Sequence, residues 1–129
     1  MSFFCKFELI CINDGSTDSS LFILNNFAKI DKRVRVISQR NKGAGASRNV
    51  GLDYASGDYI YFIDSDDCIV PEILEKLYNN AISNNSDIVL FKKGNIKSVD
   101  TKSYSNYSYL DKKVKHVNLN NFTLKIESN

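Results

Sequence analysis

The sequence has little net charge, one histidine and no long apolar run, and each shortage excludes a class of function. A net charge of +2 over 129 residues gives no argument for a nucleic-acid partner or an anionic membrane. No stretch approaches the roughly 18 apolar residues of a transmembrane helix, and residues 1–5 lack the basic and apolar parts of a signal peptide. We therefore expect a protein without a nucleic-acid partner or a transmembrane segment that works in the cytoplasm.

Cysteine and histidine are too few and too scattered to predict a disulfide framework or a zinc site. Cys5, Cys11 and Cys68 are odd in number and show no CxxC spacing, which suits a reducing cytoplasm. Cys11 lies in an apolar strand pattern and is expected to be buried and inert. Cys68 follows several carboxylates, which disfavour a reactive thiolate. His116 has no cysteine or carboxylate partner near it in the sequence, so neither metal binding nor acid–base work is expected of it.

Apolar periodicity predicts alternating strands and helices over residues 1–91, which 43% hydrophobic residues can support with a core. The predicted strands cover residues 7–12, 34–37, 59–63 and 87–91. The predicted helices run from Ser16 or Thr17 to Lys29, over residues 45–55, and from just after Pro71 to Ser83, the last with an apolar stripe of Ile73, Leu74, Leu77, Ala81 and Ile82. Such alternation implies βαβ units, and so an α/β domain with a mostly parallel sheet flanked by helices.

Residues 92–129 differ in character, and we expect them to form a polar tail of uncertain structure. The segment 97–109 is rich in serine, asparagine and tyrosine, and residues 114–126 can hold one or two strands. Tyr104, Tyr107 and Tyr109 can stack on a sugar or a base, although a polar tail explains them as well.

An acidic run ends the predicted strand Tyr59–Ile63. Asp64, Asp66 and Asp67 follow it within four residues, and desolvating like charges this close together is costly without a counter-charge. A divalent cation supplies that charge, and carboxylate oxygens suit Mg²⁺ or Mn²⁺. The alternative is an exposed acidic turn that caps the next helix.

Two further motifs follow predicted strands. Asp14, within Ile12–Asp18, offers a carboxylate to a base edge or to ribose hydroxyls, unless it only forms a turn and a helix cap. The segment Asn41–Gly51 lacks the dinucleotide fingerprint, because Arg48 occupies the third glycine position, and it lacks the P-loop ending. Its Lys42 and Arg48 stand near a predicted helix N-terminus and suit a diphosphate or a base, although such an arginine is often simply solvated.

The three motifs all follow strands, and the carboxyl ends of parallel strands meet at one edge of a sheet. We therefore expect the acidic run, Asp14 and the Lys42–Arg48 segment to converge. Together they predict a site for a nucleoside diphosphate with a metal bridge.

The same motifs resemble family 2 glycosyltransferases of the GT-A fold, over residues 2–91. The matching segments are Phe7–Asp18, Asn41-Lys42-Gly43, Ala46-Ser47-Arg48-Asn49-x-Gly51, Gly57–Ile60 and Asp64–Asp67. The resemblance implies an incomplete GT-A, Rossmann-like domain over residues 1–91. It lacks the family's first strand–helix unit, with its Pro-x-Tyr-Asn-like motif, and also its acceptor half. A gap in place of that first strand would leave apolar surface exposed, so the chain is expected to be a truncated or partial transferase.

The resemblance also implies roles for the matching residues. Asp14 would contact the nucleobase, commonly uracil, and Arg48 would lie along the base and diphosphate. Asp64 and Ser65 would approach the ribose and the metal, and Asp66 would be the main ligand of Mn²⁺ or Mg²⁺.

The implied reaction is inverting transfer from a nucleotide-diphosphate sugar, such as a UDP-sugar, to an unidentified glycan or lipid-linked acceptor. This would serve cell-surface polysaccharide synthesis in the cytoplasm or at the inner face of the membrane. The metal would act as a Lewis acid on the leaving group, and a carboxylate base would activate the acceptor. No residue of this sequence matches that base, so none is assigned.

Two other functions compete with transfer. A non-catalytic nucleotide-sugar binder, or a fragment, needs the same binding residues without the base. A Mg²⁺-dependent phosphatase-like hydrolase would use Asp64 as nucleophile and Asp66 as general acid. Cys68 stands where such hydrolases usually carry threonine or valine, which disfavours the hydrolase.

Overall fold

The computed structural model describes residues 7–91 and the backbone of residues 115–117, and the chain divides into two compact units, residues 1–58 and 59–129. The described residues of each unit contain one two-stranded sheet. No helix of the described segments is long and apolar enough to cross a membrane. Cys5 and the tyrosines at 104–109 lie outside the described residues, as does the side chain of His116.

The first unit is a parallel strand pair with two helices. Its elements are β1 (Leu9–Asp14), α1 (Ser20–Ile30), β2 (Val34–Gln39) and α2 (Ala44–Tyr54). β1 and β2 run parallel from Leu9 opposite Val34 to Asp14 opposite Gln39. Both strands are rich in β-branched residues, which favour the extended backbone. This confirms the predicted α/β arrangement with parallel pairing.

The predicted start of the first helix at Ser16 or Thr17 is wrong, because Asn13 engages Ser16 in a turn. The Ser16 hydroxyl and, at 3.4 Å, its amide both donate to Asn13 Oδ1. Local bonds of this kind compete with helix formation. α1 therefore begins at Ser20, whose amide donates to Asp18 Oδ1 at 2.9 Å.

Several apolar side chains of α1 are open to solvent. Phe22 is 69% exposed and Ile30 is 83% exposed. Leu21, Leu24 and Ala28 are half-buried on the other side of the helix. Among residues 7–58 only Asn13 is fully buried, so polar contacts contribute strongly to the organisation of this unit.

A carboxylate near the start of β1 holds the C-terminal end of α2. Glu8 Oε1 accepts the amide of Ser56 at 2.6 Å and its hydroxyl at 2.8 Å. Arg35 lies 3.6 Å from Glu8 Oε2 and donates to the carbonyl of Tyr54 at 3.2 Å. The bonds from Ser56 are the main cause of a lowered pKa of Glu8. These contacts fasten the last turn of α2 to the beginning of the sheet.

The second unit has its core on α3 (Ile73–Ser83). It also contains β3 (Ile88–Leu90) and β4 (Lys115–Val117), which pair antiparallel with Ile88 opposite Val117. The core residues are Ile73, Leu77, Ala81 and Val89, with partly buried neighbours that include Tyr59, Tyr61 and Phe91. The strand at 115–117 lies within the segment where the sequence predicts one. Ile82 is 55% exposed, so its predicted place on the apolar stripe is wrong.

The predicted strand Tyr59–Ile63 is also wrong, because only Tyr61 forms an isolated strand pairing. Side-chain packing holds this segment instead. The hydroxyl of Tyr59 donates to the carbonyl of Ser86 at 3.0 Å, and the Tyr61 ring lies 5.5 Å from that of Phe91, between centroids. Aromatic and β-branched residues predict a strand because they favour packed surfaces. Here the side chains pack, but the backbone does not form the hydrogen-bond ladder of a strand.

The turn after β1 lies close against the loop after β2. Gly15 has φ +72°, and a Cβ atom there would lie 2.7 Å from the backbone nitrogen of Asn41. Only glycine combines this left-handed backbone with so close an approach. The two loops can therefore meet only if residue 15 has no side chain.

Ile73 and Ile82 provide a matched test of the α3 core. Ile73 is 4% exposed and Ile82 is 55% exposed. We expect Ile73→Ala to lower the free energy of unfolding by about 2–5 kcal/mol and Ile82→Ala by about 1 kcal/mol or less, measured by urea denaturation. Equal losses would contradict this description of the core.

Gly15 and Gly45 test the loop contact in the same way. Gly15→Ala forces a side chain into the left-handed region and against Asn41, and we expect it to cost about 2 kcal/mol or more. A Cβ at Gly45, in α2, has nothing within 4 Å, so Gly45→Ala should stabilise the protein by about 0.5–1 kcal/mol. Thermal and urea unfolding of both variants measure the two effects, and an unchanged stability of Gly15→Ala would refute the close approach.

Candidate functional site

Asp14 ends β1 and gathers donors from the segment that leads into α2. Its Oδ1 accepts the side-chain amide of Gln39 at 2.7 Å and the backbone amide of Lys42 at 2.8 Å. Its Oδ2 accepts the backbone amide of Gly43 at 2.8 Å. Two of the three predicted motifs, the one around Asp14 and the Asn41–Gly51 segment, therefore meet within the first unit.

Two pairs of polar side chains join the strands at the carboxyl end of the sheet. Asn13 lies opposite Ser38 and Asp14 opposite Gln39 in the strand register, and each pair is joined by a side-chain hydrogen bond. Asn13 Nδ2 donates to Ser38 Oγ at 2.9 Å. Both strands end in polar residues at matching positions of the register. The hydrogen bonds between the strand ends depend on that match.

Gln39 and Ser47 belong to the same network, although neither is among the site residues predicted from the sequence. Gln39 Nε2 donates to Ser47 Oγ at 3.2 Å, and the Ser47 hydroxyl donates to the carbonyl of Gly43 at 3.1 Å. The available signal was positional, since Gln39 is the last residue of β2 and pairs with Asp14. Reading it required the strand register, which the sequence alone did not establish.

These donors keep Asp14 ionised. The bond from Gln39 is the main cause of a pKa below the usual range for Asp14, followed by the bond from the Lys42 amide. Hydrogen bonds to the charged form of a carboxylate favour that form. Asp14 is half-buried and presents a negative charge at neutral pH.

The backbone amides of Lys42 and Gly43 both donate to Asp14, so the carboxylate orders the segment that leads into α2. Gly43 has φ +87° and precedes α2. The first turn of α2 is closed by the Ser47 amide, which donates to the Gly43 carbonyl at 3.0 Å. Arg48, half-buried, is the next residue on the helix. The network thus fixes the start of the helix that carries Arg48.

The acidic run of the second unit forms a turn at the surface. The amide of Asp67 donates to the carbonyl of Asp64 at 3.0 Å. Asp64, Ser65 and Asp66 are exposed, and Asp67 is half-buried. The desolvation that argued for a counter-ion therefore does not apply to the exposed carboxylates. A role as the cap of the next helix is also wrong, because Glu72 occupies that position ahead of α3.

The acidic turn nevertheless has the donor chemistry of a magnesium or manganese site. Within the described segments, no three histidine, cysteine or acidic side chains are grouped as ligands. Mg²⁺ needs fewer, since it is commonly held by one or two carboxylates together with water and substrate phosphates. Asp64 and Asp66 are exposed oxygen donors two residues apart and fit that requirement. The expected convergence of this turn with the other two motifs stays a prediction.

The two cysteines that the structure describes are free thiols. Cys11 is half-buried rather than buried, and burial raises the pKa of its thiol, which agrees with an inert side chain. Cys68 is exposed beside the acidic turn. The geometry around them adds no nucleophile to the site.

Comparison with known proteins places this arrangement in a family. The sequence model of "Glycosyl transferase family 2" matches residues 3–128. An uncharacterized glycosyltransferase of Haemophilus influenzae is 51% identical over 78 residues, which are 60% of this chain and 31% of that protein. The cholesterol galactosyltransferase of Borreliella burgdorferi is 45% identical over 82 residues, 64% of this chain and 23% of the relative.

A third relative is the poly(ribitol-phosphate) beta-glucosyltransferase of Bacillus spizizenii, 48% identical over 88 residues, 67% of this chain and 14% of that protein. The chain thus spans less than a third of the length of each of these three relatives. The family match itself runs over nearly the whole chain and includes Asp14, Arg48 and the acidic turn. The chain therefore belongs to glycosyl transferase family 2.

Proposed function

We propose that this chain supplies the donor-binding part of a glycosyltransferase that uses a UDP-sugar. The observation that carries the proposal is the Asp14 carboxylate, fixed at the carboxyl end of β1 by three donors. Ligands of open α/β sheets bind at this end of the strands. Membership of the family supports sugar transfer as the reaction.

The hydrogen bonds of Asp14 favour a base with a single N–H donor. A carboxylate offers about four lone-pair positions, two on each oxygen. Oδ1 already accepts from Gln39 and Lys42, and Oδ2 accepts from Gly43. The Ser47 hydroxyl also contributes to the lowered pKa of Asp14, but it donates its one hydrogen to the Gly43 carbonyl, so one position on Oδ2 is left over. The ring imide of uracil presents one N–H, whereas guanine presents two adjacent donors that need both oxygens, so the count favours UDP over GDP.

Arg48 is proposed to bind the diphosphate. A guanidinium forms paired, charge-assisted hydrogen bonds with phosphate oxygens and stays charged at any physiological pH. Its position one residue after Ser47 places it on the first turns of α2, whose start is fixed through Gly43. Because the backbone is fixed there, Arg48 loses less conformational freedom when it binds the diphosphate.

Asp64 and Asp66 are proposed to hold Mn²⁺ or Mg²⁺, with Asp66 as the main ligand and Ser65 near the ribose. When bound, such an ion neutralises charge on the diphosphate leaving group. The residues of the turn can contribute oxygen ligands without the free-energy cost of burying a carboxylate, since all three are exposed.

The transfer step breaks the bond between the anomeric carbon and the diphosphate oxygen and forms a bond to the acceptor oxygen, with inversion. The acceptor proton passes to a base, and no residue of this chain is assigned that role. We propose a glycan or lipid-linked acceptor in cell-surface polysaccharide synthesis, on the cytoplasmic side of the membrane. Relatives named for a poly(ribitol-phosphate) and for cholesterol support an acceptor of this kind.

Nucleotide affinity tests the proposed role of Asp14. In calorimetric titrations with Mn²⁺, the affinity for UDP should exceed that for GDP by about tenfold or more. Asp14→Asn should lower the affinity for UDP by a similar factor. The control is Asp53→Asn, which alters an exposed carboxylate of α2 and should leave the affinity unchanged. Equal binding of UDP and GDP, or an unaffected Asp14→Asn variant, would contradict the proposal.

Metal dependence tests the acidic turn separately. Mn²⁺ binding, followed by its electron paramagnetic resonance signal in the presence of UDP, should weaken about tenfold or more in Asp66→Asn, because one anionic ligand is lost. Asp58→Asn removes another exposed carboxylate and serves as the control. Unchanged Mn²⁺ binding by Asp66→Asn would remove Asp66 from the metal site.

A further inference from the structure

We propose that Gln39 is a positioning residue that fixes Asp14 and sets its selectivity for the nucleobase. The selectivity part of this inference rests on the proposed function, and the positioning part rests on the geometry alone. Neither the sequence motifs nor the resemblance to the family assigns Gln39 a role.

One side chain joins three elements of the first unit. From the end of β2, Gln39 Nε2 donates to Asp14 at the end of β1 and to Ser47 in α2, at 2.7 and 3.2 Å. Asp14 in turn accepts the amides of Lys42 and Gly43. Gln39 therefore lies at the centre of the contacts that order the segment between β2 and α2.

The side-chain amide is the chemical group this position requires. Its nitrogen carries two hydrogens, and the two bonds to Asp14 and Ser47 use both. The opposite orientation of the amide would bring its carbonyl oxygen against the Asp14 carboxylate, and two acceptors repel each other. Glutamate would add a second negative charge at the same place, and methionine would keep the length of the side chain without any donor.

Gln39 also limits what Asp14 can accept from a ligand. With the Lys42 amide, it fills both lone-pair positions of Oδ1 and leaves the remaining one on Oδ2. Without Gln39, Oδ1 regains an acceptor position, and the carboxylate can receive two adjacent donors, as guanine presents. Loss of Gln39 should therefore change the ratio of affinities for GDP and UDP, which a purely structural role would not alter.

The decisive variant is Gln39→Met in the full chain, with Ser38→Ala as the matched control. Ser38→Ala removes the other side-chain hydrogen bond between the strand ends. Hydrogen exchange of the Lys42 and Gly43 amides is followed by NMR without nucleotide, and UDP and GDP affinities are measured by calorimetry. We expect Gln39→Met to speed exchange of both amides roughly tenfold and to bring GDP affinity within about threefold of UDP affinity. Ser38→Ala should do neither.

The outcomes separate this inference from the proposed function. Unchanged exchange in Gln39→Met would overturn the positioning role, whether or not nucleotide binds. Faster exchange with an unchanged GDP-to-UDP ratio would overturn the selectivity role. A wild-type protein that binds neither nucleotide would overturn the proposed function and the selectivity role, while the exchange rates would still decide the positioning role. If Gln39→Met does not fold, Gln39→Asn, which shortens the side chain by one methylene, gives the same comparison.

Discussion

The arrangement of the first unit depends on the negative charge of Asp14. Its carboxylate accepts donors from Gln39 at the end of β2 and from the backbone of Lys42 and Gly43 ahead of α2. Since Asn13 is the one buried residue of residues 7–58, these charge-assisted hydrogen bonds are among the main contacts that hold this part of the chain. We propose that the same carboxylate contacts the nucleobase, so that one side chain serves both folding and binding.

Helix α2 is held at both ends by carboxylates near the two ends of β1. Glu8 accepts donors from Ser56 just after the helix, and Asp14 accepts donors from Gly43 just before it. The two residues thereby fix the position of the helix against the sheet and with it the location of Arg48. This explains how the parallel pair of β1 and β2 presents an ordered loop at its carboxyl end.

Much of the local structure followed from the sequence, because periodicity and glycine positions report on backbone preferences. The bounds of α2 and the parallel pairing of the first two strands agree with prediction. The start of α1 did not, since the Asn13 turn depends on a side chain competing with the helix. Tyr59–Ile63 has the composition of a strand but packs through its rings. The sequence motif predicts a role for Asp14, whereas a role for Gln39 follows only from the register that sets it opposite Asp14. The amino-acid composition does not reveal which residues of two strands lie opposite each other.

We propose that the Asp14 carboxylate and the loop it holds bind the nucleotide. A titration of ¹⁵N-labelled protein with UDP, followed by two-dimensional NMR, tests it residue by residue. We expect the largest shifts at the amides of Gly15, Lys42 and Gly43 and at the side chain of Arg48. Little change is expected at Ser56, where Glu8 holds the other end of α2. Shifts that leave the Asp14 loop unaffected, while other parts of the chain respond to UDP, would contradict it.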